Sequence, residues 1–459
     1  MGHNTISKSN VQDVLGLTSM QEGMLYHYLQ NPESDQYFEQ FSYSLKGSFN
    51  MSACLSAWKW TIQQNEMLRT IFRWEKINNP VQVILKDRLI SFVFHDLVSF
   101  QEQEKALIAD QLLEKDRMER FDLGEGPLFR IMILKLTEYS HSIVVSNHHI
   151  LFDGWSNGIL MEEFLQAYSS FHAGETPMEV AKPPFKEYVK WLYNQDKSVG
   201  VEFWEEYLKG YKYKPLYISN FIKETDVKGT ANENYIIPQA TMNDIRKVAK
   251  DEGVSIGTIF SAAWGILLQK YIDHDDIVFG TTVSGRSSNL PGIERMVGLL
   301  MNTVPVRIRL DRSTKVIDLL LDVHHSTKSR QPYETVPLVD IQTVTNQNPT
   351  MVLFDTLLVI ENYPLNVSVN NGLKLESYKG HSRTNYPLVL AINNFEETEL
   401  NFVYQQKNFN KTTMELLKER YVGILKRLIV DRDQLIDENF NLTNIEENMN
   451  ELLGIEFNY

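Results

Sequence analysis

The period of the hydrophobic pattern switches repeatedly along this chain between two and about 3.6, and this limits what it can fold into. Gln40-Phe-Ser-Tyr-Ser-Leu45 alternates and ends at Lys46-Gly47, as a half-buried strand followed by a turn does. Asn50 to Glu66 then carries Cys54, Leu55, Trp58 and Ile62 on one helical stripe, with Asn50 as N-cap. Phe129–Leu134 and Ser142–Ser146 read as strands around the polar turn Thr137 to Ser140. Trp155 to Tyr168 returns to helical spacing through Ile159, Leu160, Phe164 and Ala167. Phe185 to Tyr211 is helical and rich in aromatics, and Val254 to Tyr271 is an apolar helix. Asp276–Gly280 and Val304–Leu310 are strands bracketing a long loop, Ser284 to Met301. Val352-Leu-Phe and Leu357–Ile360 form a further strand pair or one bent strand. Strands and helices mixed in this way call for an α/β or α+β fold.

A chain of 459 residues is too long for one ordinary core, so two lobes are expected. Phe171 to Pro184 contains Gly174, Pro177, Pro183 and Pro184, which sets the boundary near residue 180. The first lobe is then 1–180 and the second 181–435. Residues 436–459, acidic and rich in Asn, read as a linker toward a further domain. The formal net charge of -14 lacks the basic footprint that a nucleic-acid backbone requires. Cys54 is the only cysteine, which excludes an internal disulfide or a Cys-based metal site and fits a reducing compartment; inside a helix it reads as a small buried thiol. No apolar run reaches the roughly 18 residues of a membrane span, and the N-terminus lacks the apolar region of a signal peptide, so the expected location is the cytoplasm.

Chemistry concentrates in Ser146-Asn-His148-His149-Ile-Leu-Phe-Asp153-Gly154-Trp155-Ser156. A strand runs straight into a His pair, and adjacent strand residues face opposite sides, so one of the two can face a given cleft. A neutral imidazole is a natural proton acceptor near pH 7 when an amine is acylated. Asp153 either orients the His or caps the following helix, which starts at about Trp155 or Ser156. Gly154 either supplies a positive φ or lets a ligand pass close to the backbone. No third metal ligand stands at recognisable spacing. A second pair, His324-His325, sits in a helix without a following Asp-Gly and reads as packing.

His148-His149-x-x-x-Asp153-Gly154 resembles the HHxxxDG signature of nonribosomal peptide synthetase condensation domains, shared with chloramphenicol-acetyltransferase-like acyltransferases. Further motifs narrow the resemblance. Leu17-Thr-Ser-Met-Gln21-Glu-Gly-Met-Leu25 resembles the opening motif of condensation domains. Asn65-Glu-Met-Leu-Arg69-Thr70-Ile-Phe72 resembles the second, with Asn65 where His is usual. Tyr188-Val-Lys-Trp191, Met296 to Pro305, Gln331 to Leu338 and Phe354 to Pro364 resemble the fourth to seventh, in family order, the seventh in the form seen in Bacillus-type synthetases such as those for surfactin and tyrocidine. Read on residues alone, Leu17–Leu25 is an amphipathic helix start capped by Thr18 or Ser19, Arg69 a surface or intra-lobe salt bridge, and Tyr188 with Trp191 a core stripe.

The resemblance implies two acetyltransferase-like α/β lobes in a V, a pseudo-dimer with a central tunnel. It implies amide formation between a donor thioester and the α-amine of an acceptor, with His149, His148, Asp153 and Gly154 as the catalytic set. By family precedent an Arg pairs with the signature Asp, and Arg286 in Ser284-Gly-Arg286 is the candidate, with Arg69 a further structural cation. Gly154, Trp155, Ser284, Asn302 and Tyr363 are expected along the tunnel. Donor and acceptor arrive on upstream and downstream carrier proteins, each on a phosphopantetheine arm, so no cofactor is held tightly and no metal is needed. An adenylation domain is the expected neighbour. Two alternatives stay open: a non-catalytic carrier-docking module, and an epimerization-type relative, whose signature usually continues with Val-Ser-Trp-Arg where this chain has Trp155-Ser-Asn-Gly.

Overall fold

Backbone hydrogen bonding sorts the strands of this protein into three sheets among the residues described by its structure, a computed structural model. Those residues are 7–32, 36–179, 181–216, 229–272, 274–287, 289–311, 313–345, 352–361, 373–382, 385–394 and 397–436. In chain order the first elements are β1 (Val11–Gly16), α1 (Ser19–Gln30), β2 (Phe38–Lys46), α2 (Met51–Gln64), β3 (Thr70–Arg73), β4 (Val81–Leu85), β5 (Ser91–Asp96), α3 (Glu102–Met118), β6 (Phe129–Lys135), β7 (Ser140–His148), α4 (Gly154–His172) and α5 (Phe185–Tyr193). Next come α6 (Ser198–Leu208), β8 (Thr230–Ile236), α7 (Gln239–Asp251), α8 (Ile256–Ile272), β9 (Asp276–Val283), β10 (Asn302–Arg309), α9 (Val316–Arg330) and α10 (Leu338–Val344). The last are β11 (Thr356–Glu361), β12 (Lys374–Ser382), β13 (Leu388–Asn394), β14 (Thr398–Gln405) and α11 (Lys411–Val430).

The chain divides into two compact units. The first runs from Met1 to Gln195 and takes in 288–301 and 363–385. It holds the sheet β12-β2-β7-β6-β5 and the smaller sheet β1-β4-β3. Where the breaker-rich segment suggested a limit near 180, the first unit continues through α5 and recovers two later segments. Local breakers mark where a chain bends; they carry no sign that β12 will hydrogen-bond to β2, with Tyr378 opposite Tyr43. In this unit α4 packs on α2 through stacked Trp58 and Phe164, 4.3 Å between ring centroids. Asn50 caps α2 by accepting the Ala53 N–H, and Cys54 lies buried in that helix, its thiol pushed up to about 12 by burial.

The second unit holds the sheet β10-β9-β11-β13-β14-β8. Trp264 of α8, Leu390, Phe402 and Tyr421 of α11 are buried in its core. Residues 352–354 are not a strand: β11 alone runs parallel to both β9 and β13, and Leu353 and Phe354 instead join the core beside α6. The stretch 185–211 is two helices rather than one. It breaks at 194–197, where Asp196 accepts the N–H and hydroxyl of Ser198. His324, on α9, packs beside α8 with Nδ1 3.3 Å from Thr258 Oγ1.

Candidate active site

Strand β7 lies between β2 and β6, with His148 opposite Phe38 and Asn147 opposite Glu39. Beyond the ladder, the His149 N–H donates to Tyr37 O at 2.8 Å. The two histidines therefore leave the sheet on a fixed backbone, and their environments diverge. His148 is 5% exposed, edge-on to Tyr28 and tilted against Tyr37. Its Nδ1 accepts the Ile150 N–H at 3.2 Å. Burial, with the adjacent His149 adding to it, pulls His148 down to about 3, so it is neutral at neutral pH.

His149 has the opposite fate. Its Nδ1 is 2.9 Å from Phe152 O and 3.2 Å from Glu39 Oε2. Both partners are acceptors only, so Nδ1 carries the proton and Nε2 is left for other chemistry. The side chain keeps 17% of its surface open, while Glu39 keeps 7%. Asn147 Nδ2 donates to the same Glu39 oxygen at 3.1 Å. Burial opposes the charged ring, but the Glu39 carboxylate, the Phe152 carbonyl and Asp153 outweigh it and raise His149 to about 9. These partners favour the charged ring over the neutral acceptor expected from the sequence. Glu39 had no local signal in the sequence. It sits in a strand 110 residues before His149, and only the β2–β7 register unites them.

Asp153 caps α4, as one of the sequence readings held, and does more. Its Oδ1 accepts the Ser156 N–H (2.9 Å) and lies 2.8 Å from the Ser156 hydroxyl. Its Oδ2 accepts the N–H groups of Leu300 and Met301 at 3.0 and 3.2 Å. The Asp153 N–H reaches Gly298 O, the Gly298 N–H reaches the Ser156 hydroxyl, and Trp155 Nε1 donates to Glu294 O. The signature and the fifth motif thus lock together at the start of α4. Gly154 is the first residue of that helix and is not in the left-handed region, so the positive-φ explanation for it does not hold: Asp153, in extended backbone, makes the turn instead.

The opening motif reaches the same turn. Thr18 and Gln21 form a capping box for α1, and the fully buried Gln21 amide donates to Ile150 O at 3.2 Å. Asn65, which replaces the usual His, donates to Glu163 Oε2 at 2.7 Å and accepts from Lys182, whose ammonium also meets Glu163. Arg69 is neither at the surface nor in a simple salt bridge: 4% exposed, it donates to the carbonyls of Ile62, Gln63, Leu85 and Lys86 and to Gln12. The carbonyls of Ile62 and Gln63 come from the end of α2, and those of Leu85 and Lys86 from the end of β4, so Arg69 ties the two ends together. The Tyr188 hydroxyl donates to Leu300 O.

Other expected site residues belong to the second unit. Arg286 Nη1 donates to Ser284 O, and Asn302 Nδ2 donates to Glu334 O and Val336 O, holding the sixth motif. Tyr363 and the linker from 437 onward lie outside the described residues. Among the described residues no group of three or more His, Cys, Asp or Glu could hold a metal ion, and no helix is long and apolar enough to cross a membrane.

A family model described as the condensation domain matches residues 11–451. Tyrocidine synthase 2 of Brevibacillus parabrevis is 32% identical over 421 residues, 90% of this chain and 12% of that protein. Surfactin synthase subunit 3 of Bacillus subtilis (strain 168) is 31% identical over 454 residues, 98% of this chain and 35% of that protein. The chain thus spans about a third or less of these curated relatives. A mutant of the starter condensation domain of rhizomide synthetase RzmA, in complex with C8-CoA, superposes with a TM-score of 0.80 at 17% identity, over 92% of this chain and 96% of that one. The first condensation domain of the calcium-dependent antibiotic synthetase, with a substrate analogue, gives 0.79 at 15% identity, over 94% and 99%. The solved structures establish the α/β fold; the matched span, the motifs within it and the sequence relatives establish that this chain belongs to the condensation-domain family of nonribosomal peptide synthetases.

Proposed function

We propose that this condensation domain joins a donor acyl thioester on an upstream carrier protein to the α-amine of an acceptor on a downstream carrier protein. The amine attacks the thioester carbonyl carbon, the C–N bond forms, the C–S bond breaks, and the proton shed by nitrogen ends on the departing sulfur. Phosphopantetheine arms on the carriers deliver both substrates, and an adenylation domain would follow in the same synthetase. The observation that supports the reading is that His149 Nδ1 is committed to Phe152 O and Glu39, which makes Nε2 the ring nitrogen to serve the reacting atoms. Holding two tethered reactants together supplies much of the acceleration, up to about 7–11 kcal/mol in favourable cases.

The test is condensation between amino acids loaded on separate carrier proteins, with donors ending in L- and in D-residues. His149→Ala is expected to lower turnover by roughly 10²–10⁴-fold, the usual worth of a positioned proton-transfer group, in a folded protein. Wild-type turnover by that variant would remove His149 from the mechanism. Carrier binding without product, for every donor, would favour a docking module; inversion of the donor α-carbon without product would favour an epimerization-type relative. The energetic coupling of Arg286 with Asp153 is part of the same proposal. A double-mutant cycle with Arg286→Ala and Asp153→Ala is expected to give non-additive unfolding free energies, and additivity would dissolve the pair.

A further inference from the structure

We propose that Glu39 is a positioning residue for His149: from β2 it holds the ring's Nδ1–H and its positive charge, so that Nε2 meets the thioester as a hydrogen donor. This rests on the reading that Nε2 faces the reacting atoms. The geometry carries it. Glu39 Oε2 is 3.2 Å from Nδ1, is itself held by Asn147 Nδ2 at 3.1 Å, and belongs to a residue 5% exposed. A carboxylate removed from water, fixed from one side and facing an imidazole on the other gains most when that imidazole is a cation.

The charged or titratable groups acting on the ring are Glu39 from β2, His148 from β7 and Asp153 from the turn before α4, with the Phe152 carbonyl beside them. The first and third favour the cation, and His148, held neutral by burial, does not oppose it. Acceptor α-amines titrate near 8. A fraction of the amine is therefore nucleophilic near neutral pH without a protein base. In the resulting sequence the Nε2–H steadies the oxygen of the tetrahedral adduct and passes its proton to sulfur as the C–S bond breaks. The ring, now neutral, takes the proton from the acylated nitrogen and returns to its starting state, so the cycle balances with no outside proton donor.

Two measurements test this. The first is an NMR titration of the ¹⁵N-histidine-labelled chain without substrate. His149 is expected to titrate near 9, and Glu39→Gln, nearly the same shape, to move it down toward or below the ordinary 6.5. Glu39→Asp should fall between. An unchanged His149 titration in Glu39→Gln overturns the proposal, whatever the activity. The second is the pH profile of kcat/KM with carrier-loaded donor and acceptor. The wild type should rise with the acceptor amine and fall through about 9, and Glu39→Gln should lose roughly tenfold or more at pH 8 as the protonated fraction drops. A profile that keeps rising past pH 9, or a Glu39→Gln variant faster than wild type at pH 7, would make His149 a base and sink the donor role. Absence of product from wild type under all conditions would count against the proposed function and leave the titration to judge Glu39 by itself.

Discussion

Two neighbouring histidines in this chain are shifted in opposite directions, and the difference comes from their partners. His148 has aromatic rings and one N–H donor around it; His149 has a carboxylate and a carbonyl. Both therefore link stability to pH, on different sides of neutrality. For His148 the native value, about 3, lies below the unfolded 6.5, so its contribution is present above 6.5 and fades as pH falls toward 3. For His149 the native value, about 9, lies above the unfolded 6.5, so its contribution is full below 6.5 and fades as pH rises through 9. Urea unfolding of His148→Gln is expected to show a smaller loss of midpoint between pH 6.5 and 4 than wild type, and Glu39→Gln a smaller loss between pH 6.5 and 9.5. Parallel pH curves for all three proteins would contradict this. The signature residues were legible from their spacing. Their protonation was not, because Glu39 reaches His149 only through strand pairing.

At the scale of elements, the N-terminus of α4 and the segment 289–301 behave as one latch. Asp153 and Ser156 use their side chains on the backbone of Gly298, Leu300 and Met301. The segment comes close enough because Gly298 has no side chain: a Cβ there would stand 2.3 Å from Phe185 Cδ2. Gly298→Ala is therefore expected to cost about 1–3 kcal/mol, the range for overpacking a filled site. The check is thermal unfolding together with Phe185→Leu in the same background, which should recover part of the loss by removing the ring. A neutral Gly298→Ala, or no recovery, would show that the contact does not set the latch. The elements themselves were readable where periodicity was strong and caps were present: β2, α2, β6, β7 and α4 lie within a few residues of their expected limits. The sequence misread 352–354 as strand because an apolar run of three fits a buried loop equally well, and it merged α5 with α6 because aromatics continue across the turn at Asp196.

For the whole molecule, two units with their own sheets answer the size limit on a single core. The charged groups that set His149, namely Glu39 and Asp153 with His148 beside them, all belong to the first unit. Leu390 is fully buried in the second unit's core. Leu390→Ala is expected to destabilise the protein by about 2–5 kcal/mol in denaturant unfolding while leaving the His149 titration where it was. A shifted titration would mean that the second unit helps to set the ring's charge. Residue spacing and order by themselves determined the family, the signature turn, the α/β class and the need for two units, because each is written in patterns a few residues to a few tens of residues long. Tertiary structure alone decided which segments return to which unit, that Gln21 and Glu39 serve the signature turn, and that the partners of His149 favour its charged form. Those outcomes depend on strand register and on burial, which bring together groups far apart in the chain and remove the water that would otherwise equalise them.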